Sequence, residues 1–221
     1  MFLRDALPSL KDLVVRRRAP EAGPWGRPPD SFTDLVAEQA SRLGIAPPAV
    51  RVVRSRRPVL LCRGARQPEL VLSAATLEQL TPAELRAAVL HELAHVESRD
   101  PSMGHLLIAA RALAYFNPAA QWAARAAVDE IERRADEATV RLGEDGAALA
   151  GAIGRLFHHG NPPPIKDAPA WENLLWRARA AGVERRRDRI ANRPLPAPPS
   201  HARLRVALAG AGAAALAFLI V

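Results

Sequence analysis

Two histidines and a glutamate stand close together in His91-Glu92-Leu93-Ala94-His95. Histidines four apart fall on one face of a helix, about a turn from each other, so both imidazoles can reach a single metal ion. Glu92 is turned roughly 100° from His91, near enough to hold a water at that metal without being a ligand. Such a set suits hydrolysis. Zinc brings the pKa of a water to about 7, and a carboxylate takes its proton as it attacks a carbonyl. The competing reading is a plain core helix with hydrogen-bonded histidines. Two histidines and a glutamate on one buried helix are costly to leave without partners, which favours the metal.

A catalytic zinc site needs a third protein ligand and an open fourth position. The metzincin continuation fails, because Ser98 and Pro101 stand where a glycine and a third histidine are required. That leaves a carboxylate or a distant histidine. The stretch from Asp129 to Glu137 contains Glu132 and Asp136, four apart and on one helical face. One of them can bind the metal while the other orients a ligating histidine through its free ring N–H. The alternative is a solvated, salt-bridged face, which the neighbouring Arg133 and Arg134 would suit.

These residues need helices to carry them. Thr81-Pro82-Ala83-Glu84 reads as a capping box with proline at the first helical position, and Leu85, Ala88, Val89, Leu93 and Val96 continue at helical spacing. The motif therefore falls in the second half of a helix over 82–99. A second helical run extends from Pro118 to Leu142. Upstream, Asp30-Ser31 reads as the cap of a helix ending at Gly44, and three short strands are expected near 50–54, 58–63 and 69–73. The strand 69–73 is expected at the sheet edge, where Leu70, Val71 and Leu72 would align an extended substrate by strand addition. Further helices are expected near 146–158 and 168–181, followed by a basic run from Glu184 to Arg189 and a proline-rich stretch over 194–199.

A chain of 221 residues, 49% hydrophobic, can bury one good core, so one catalytic domain with appendages is the natural count. The division expected is a basic, proline-rich segment at 1–29, a catalytic domain at 30–199 and an apolar helix at 200–221. The single cysteine, Cys62, excludes an internal disulfide and a cysteine metal cluster, and reads as a buried, inert thiol. Val206 to Val221 is uninterrupted apolar and small residues. At 1.5 Å per residue it would span about 24 Å, somewhat less than the ~20 residues a bilayer usually needs. It is either a membrane segment, cut short where this chain ends, or a buried terminal helix; nothing polar faces either side, which favours the membrane. The formal net charge is +8, with arginines crowded ahead of this tail. By the positive-inside tendency the catalytic domain faces the cytoplasm, with anionic lipid as a partner. Nucleic acid is not expected: aromatics are 5% of the chain, and an acidic metal face would repel phosphate.

The His91–His95 motif followed by Asp100, then Tyr115-Phe116-Asn117-Pro118 with Trp122 nearby, then Glu132-Arg133-Arg134-Ala135-Asp136, resembles the membrane-associated gluzincins. These are the peptidases related to the BlaR1/MecR1 antibiotic sensors (family M56) and their HtpX/Ste24-like relatives (family M48). The aromatic-Asn-Pro element is more similar to the sensors, and the Glu-x-x-Ala-Asp form is more similar to HtpX. The resemblance covers roughly residues 30–142. It implies an α+β, mostly helical fold of gluzincin or minigluzincin type, in which a small antiparallel sheet packs on the HExxH helix and on a second, Glu-bearing helix. It implies one zinc held by His91, His95 and Glu132, with Glu92 as general base, Asp136 as supporting carboxylate and Asp100 as a further structural acid. The HtpX/Ste24 side also has a late His-Pro segment with a following arginine. Here Ser200-His201-Ala202-Arg203-Leu204-Arg205 stands in its place, without the proline and with the arginines out of step, so His201 is either an oxyanion stabiliser near the reacting carbonyl or a solvent-facing histidine at a helix start.

The resulting expectation is a membrane-tethered, cytoplasm-facing zinc endopeptidase acting on protein or peptide substrates. The alternatives are a signalling protease that cuts one partner, such as a repressor, and a non-catalytic membrane scaffold that keeps zinc for stability. Glu92 speaks against the scaffold, since a structural site has no use for it.

Overall fold

The computed structural model describes residues 28–64, 66–99, 117–160 and 170–192. The basic segment at 1–27, Asp100, Tyr115, Phe116, His201 and the apolar stretch 206–221 lie outside the described residues. The elements are α1 (Asp30–Arg42), β1 (Ala49–Val53), β2 (Leu60–Arg63), β3 (Glu69–Ser73), α2 (Ala74–Gln79), α3 (Pro82–Glu97), α4 (Pro118–Arg141), α5 (Gly146–Gly160) and α6 (Ala170–Asn192).

The sheet order is β1-β3-β2. β1 runs parallel to β3, with Val50 opposite Leu70 and Val52 opposite Leu72, whereas β2 runs antiparallel to it, with Leu60 opposite Leu72 and Cys62 opposite Leu70. Two expectations are corrected here. The sheet is mixed rather than antiparallel, and 69–73 is its central strand rather than an edge. The reason lies in burial: Leu70 and Leu72 are fully buried and Val71 nearly so, and a strand covered on both faces reads as a continuous apolar run. Leu70, Val71 and Leu72 therefore have no free ladder positions for a substrate. The segment between the parallel strands carries β2 to the far side of β3, so the edge next to α3 belongs to β2.

α3 is the wedge around which the rest packs. Ala88, Val89 and Leu93 meet Phe32, Val36 and Ala40 of α1 and Leu60, Leu70 and Leu72 of the sheet. On its other side Ala87 joins Leu149, Ala150 and Ile190 from α5 and α6. Each such large aliphatic side chain contributes about 1.5–3 kcal/mol when removed from water. A helix apolar on two sides cannot slide or rotate freely, which fixes where its polar residues point.

The capping box that starts α3 forms as expected: Glu84 N–H donates to Thr81 Oγ1 at 3.3 Å, and Thr81 N–H donates to Glu84 Oε2 at 2.8 Å. Asp30 and Ser31, expected as the cap of α1, instead lie in its first turn, and the Pro29 carbonyl accepts the N–H groups of Phe32 and Thr33. An acid inside the first turn still complements the helix dipole. α2 is a separate six-residue helix between β3 and α3, which the sequence pattern alone does not set apart from α3.

α6 extends well beyond the expected 168–181 and takes in the basic run 184–189. Glu184 pairs with Arg187 one turn on, at 2.8 Å, and Ile190 anchors the end of the run in the core. Gly146 permits this packing, because a Cβ there would stand 2.9 Å from the Ile190 carbonyl oxygen. Among the described residues no helix is long and apolar enough to cross a membrane.

Candidate metal centre

α3 and α4 pack against each other and bring His91, His95 and Glu132 together. Asn117 sets the start of α4: its Oδ1 accepts the N–H groups of Ala119 and Ala120 at 3.0 and 3.2 Å, and Pro118 occupies the first helical position. Ala120, Ala124, Ala127, Ile131 and Ala135 form the buried side of α4, and these mostly small residues allow a close approach. Glu132 and Asp136 then face α3.

The geometry suits a cation. His91 Nε2 and His95 Nε2 are 3.2 Å apart, His91 Nε2 and Glu132 Oε2 are 3.6 Å apart, and His95 Nε2 and Glu132 Oε1 are 3.8 Å apart. Tetrahedral zinc with bonds of about 2.0–2.2 Å separates its ligand atoms by about 3.3–3.6 Å, so only small adjustments would let one ion reach all three. The ring planes of His91 and His95 stand at 88°, with centroids 4.8 Å apart. Two histidines and a carboxylate are a donor set that zinc accepts, and they fit the ion that the sequence implied.

Glu132 is a good anion at this position. Burial alone would raise its pKa, but the two histidines and the Arg186 guanidinium hold its carboxyl well below the usual carboxylate range.

Asp136 is almost completely buried, and its Oδ1 lies 3.3 Å from His91 Nδ1 without forming a hydrogen bond. A slight ring rotation would make one, which is the arrangement that sets a ligating histidine's tautomer. Its stronger partners come from α6. Arg186 Nε donates to Asp136 Oδ2 at 2.9 Å and Nη2 to Oδ1 at 2.6 Å, while Arg189 Nη2 donates to Oδ2 at 2.8 Å. The same Arg186 reaches Glu132 Oε2 through Nη1 at 2.6 Å and His91 Nε2 through Nη2 at 3.1 Å.

Glu92 points to the sheet side of α3, where its Oε2 accepts the backbone N–H of Cys62 at 2.8 Å. Cys62 is half-buried, and burial and the neighbouring Glu92 charge push its thiol above the ordinary range, the direction of an unreactive thiol. The inert-thiol expectation agrees with this.

The structure thus brings together His91, His95, Glu132 and Asp136, with Glu92 next to His91 on the same helix and its carboxylate on the sheet side. It leaves Leu70, Val71 and Leu72 in the sheet interior, away from any free edge. Asp100 and His201 fall outside the described residues. Sequence reasoning passed over Arg186 and Arg189, which it grouped with the arginines ahead of the apolar tail and assigned to membrane orientation and anionic lipid. Their i,i+3 spacing, one turn from the apolar Ile190, was the available signal that they share a face.

Comparison with known proteins finds a peptidase family and a group of protease relatives. The profile of the family described as BlaR1 peptidase M56 matches residues 35–146, half of the chain. Among curated proteins, a protease HtpX homolog of Persephonella marina is 35% identical over 83 residues, covering 36% of this chain and 26% of that protein. Protease HtpX homolog 2 of Methanosarcina acetivorans is 35% identical over 69 residues, 30% of this chain and 24% of that protein. A protease HtpX homolog of Ralstonia pickettii is 40% identical over 72 residues, 31% and 25% of the two chains. The matched part thus spans about a quarter of the length of these relatives. No solved structure matches the chain.

Proposed function

This chain belongs to the BlaR1 peptidase M56 family, and on that premise we propose that it is a zinc-dependent endopeptidase cutting protein substrates at or near the cytoplasmic face of a membrane. The observation that carries this reading is the convergence of His91 Nε2, His95 Nε2 and a Glu132 carboxylate oxygen, with Glu92 one residue along the same helix.

In this reading His91, His95 and Glu132 hold the ion, which supplies Lewis acidity toward a water and a scissile carbonyl when bound. Glu92 accepts a proton from the attacking water and delivers one to the departing amine. Asp136 steadies the His91 ring so that Nε2 keeps its lone pair toward the donor cluster. The substrate aligns along β2, whose outer edge lies beside Glu92, by strand addition. Attachment to the membrane rests on the apolar stretch 206–221 and the arginines ahead of it.

The test is zinc stoichiometry on the purified chain beside Glu92→Ala and Glu132→Ala, with cleavage of an unfolded protein or peptide library read in the same samples. One zinc per chain is expected, with chelator-sensitive cleavage lost in both variants and metal lost mainly in Glu132→Ala. Wild-type protein without zinc, or cleavage that survives in Glu92→Ala, would overturn the reading.

A further inference from the structure

Arg186 reaches the donor cluster from a third helix, and the proposed chemistry does not use it. Its guanidinium lies against Glu132 Oε2 at 2.6 Å and His91 Nε2 at 3.1 Å. The second is a ring nitrogen that would hold the metal, and the first is one of the two Glu132 oxygens open to it. A guanidinium only donates hydrogen bonds and stays charged at any pH a protein survives. His91 Nε2 must therefore accept the Arg186 hydrogen with its lone pair, and a metal ion needs that same lone pair. The Glu132 oxygen likewise has an N–H directed at it where a cation would bond.

We propose that Arg186 is a built-in competitor of the metal, an internal cation that lowers the affinity of the site by claiming Glu132 and His91 for itself. The inference rests on the reading of His91, His95 and Glu132 as metal donors.

The anchoring of Arg186 supports it. A long exposed arginine samples many rotamers, but this one is clamped by a two-pronged bond to the buried Asp136, and Arg189 fills the other side of that carboxylate. The side chain is thus held at the cluster at little further entropic cost. A divalent ion entering beside it meets a like charge a few ångströms away. Arg189 is the natural control. It bonds the same Asp136 oxygen, at 2.8 Å, but neither donor of the pair in question.

The experiment is a zinc titration of EDTA-treated full-length protein against a chromophoric chelator, for wild type, Arg186→Gln, Arg189→Gln and Glu132→Ala. Circular dichroism checks the fold, and the zinc-induced rise in Tm gives a second readout. Arg186→Gln is expected to bind zinc about tenfold more tightly or better, since it releases two charge-assisted contacts from the donors. Its zinc-induced rise in Tm should exceed that of wild type, and Arg189→Gln should stay near wild type in both. Zinc binding by folded Arg186→Gln that is equal to or weaker than wild type overturns the inference while leaving the metal site standing. Zinc binding by wild type and Arg186→Gln no better than by Glu132→Ala overturns the donor set, and the inference with it. Should Arg186→Gln not fold, Arg186→Lys carries the test. A single ammonium cannot reproduce the planar fork, so a smaller gain in affinity is expected, and unchanged affinity refutes the competition.

Discussion

The backbone N–H of Cys62 donates to Glu92 Oε2 at 2.8 Å, joining the outer edge of β2 to the carboxylate that stands between the two histidines. Ser73 N–H donates to the Val59 carbonyl at 3.0 Å, so Val59 and, by alternation, Leu61 face β3, while Leu60 and Cys62 present their backbone groups outward. The proposed base and the strand that would align a substrate are therefore in register with each other. Glu92→Gln keeps an acceptor for the Cys62 N–H and loses only the ability to take a proton. Cleavage should fall about 10²–10⁴-fold, the usual worth of a positioned general base, with Tm and zinc content unchanged. Parallel assays of cleavage, metal content and thermal unfolding check this.

Asp136 carries two arginines and faces His91, so its loss should be felt twice. Asp136→Asn removes the carboxylate behind the His91 ring, which by itself weakens zinc binding about 10–100-fold, an effect offset in part as Arg186 is unclamped from the donors. It also leaves Arg186 and Arg189 without their buried anion, which should cost about 3–5 kcal/mol of folding stability. Chelator competition and urea denaturation measure the two effects separately. Unaltered stability would mean that the arginines find other partners.

Glu84 links the cap of α3 to α5. Burial would raise its pKa, but the Thr81 N–H and the Arg155 guanidinium together bring it below the ordinary carboxylate value. A group whose folded pKa is depressed contributes stability above its unfolded pKa and loses it as pH falls toward and through the folded value. Wild-type Tm should therefore drop more steeply than that of Glu84→Gln as pH descends below about 4.3. Tm measured across that acid range for the two proteins decides it, and equal slopes would contradict the assignment.

Gly146→Ala places a Cβ 2.9 Å from the Ile190 carbonyl oxygen, and a backbone atom cannot swing aside. α6 must shift, with an expected loss of about 1–3 kcal/mol, the usual range for overpacking. Because Arg186 and Arg189 ride on α6, the same variant should alter zinc affinity although residue 146 touches none of the donors. The urea midpoint and the chelator titration report the two consequences.

Much of the site was legible because it is local. The four-residue spacing of His91 and His95, and again of Glu132 and Asp136, is a property of the helix and holds wherever the helix goes. The capping box at Thr81 and the Asn117-Pro118 start depend on neighbouring residues alone, and both form. The role of Arg186 and Arg189 at the site was not legible, because charge by itself does not distinguish arginines that meet lipid headgroups from arginines turned toward buried carboxylates.

The sequence by itself determined that two helices would each carry a pair of metal-capable residues on one face, and that Glu92 would stand beside the first pair. Only the tertiary structure decided which groups from distant elements meet them. Strand order was one such decision: β3 lies in the middle, with Leu70 and Leu72 buried on one face and Val71 on the other. The placing of Arg186 was the other. It comes from the packing of α6 on α5 at Ile190 and Gly146 and from the attraction between two arginines and one buried aspartate. Contacts between residues fifty positions apart are set by the packed whole, and no local pattern encodes them.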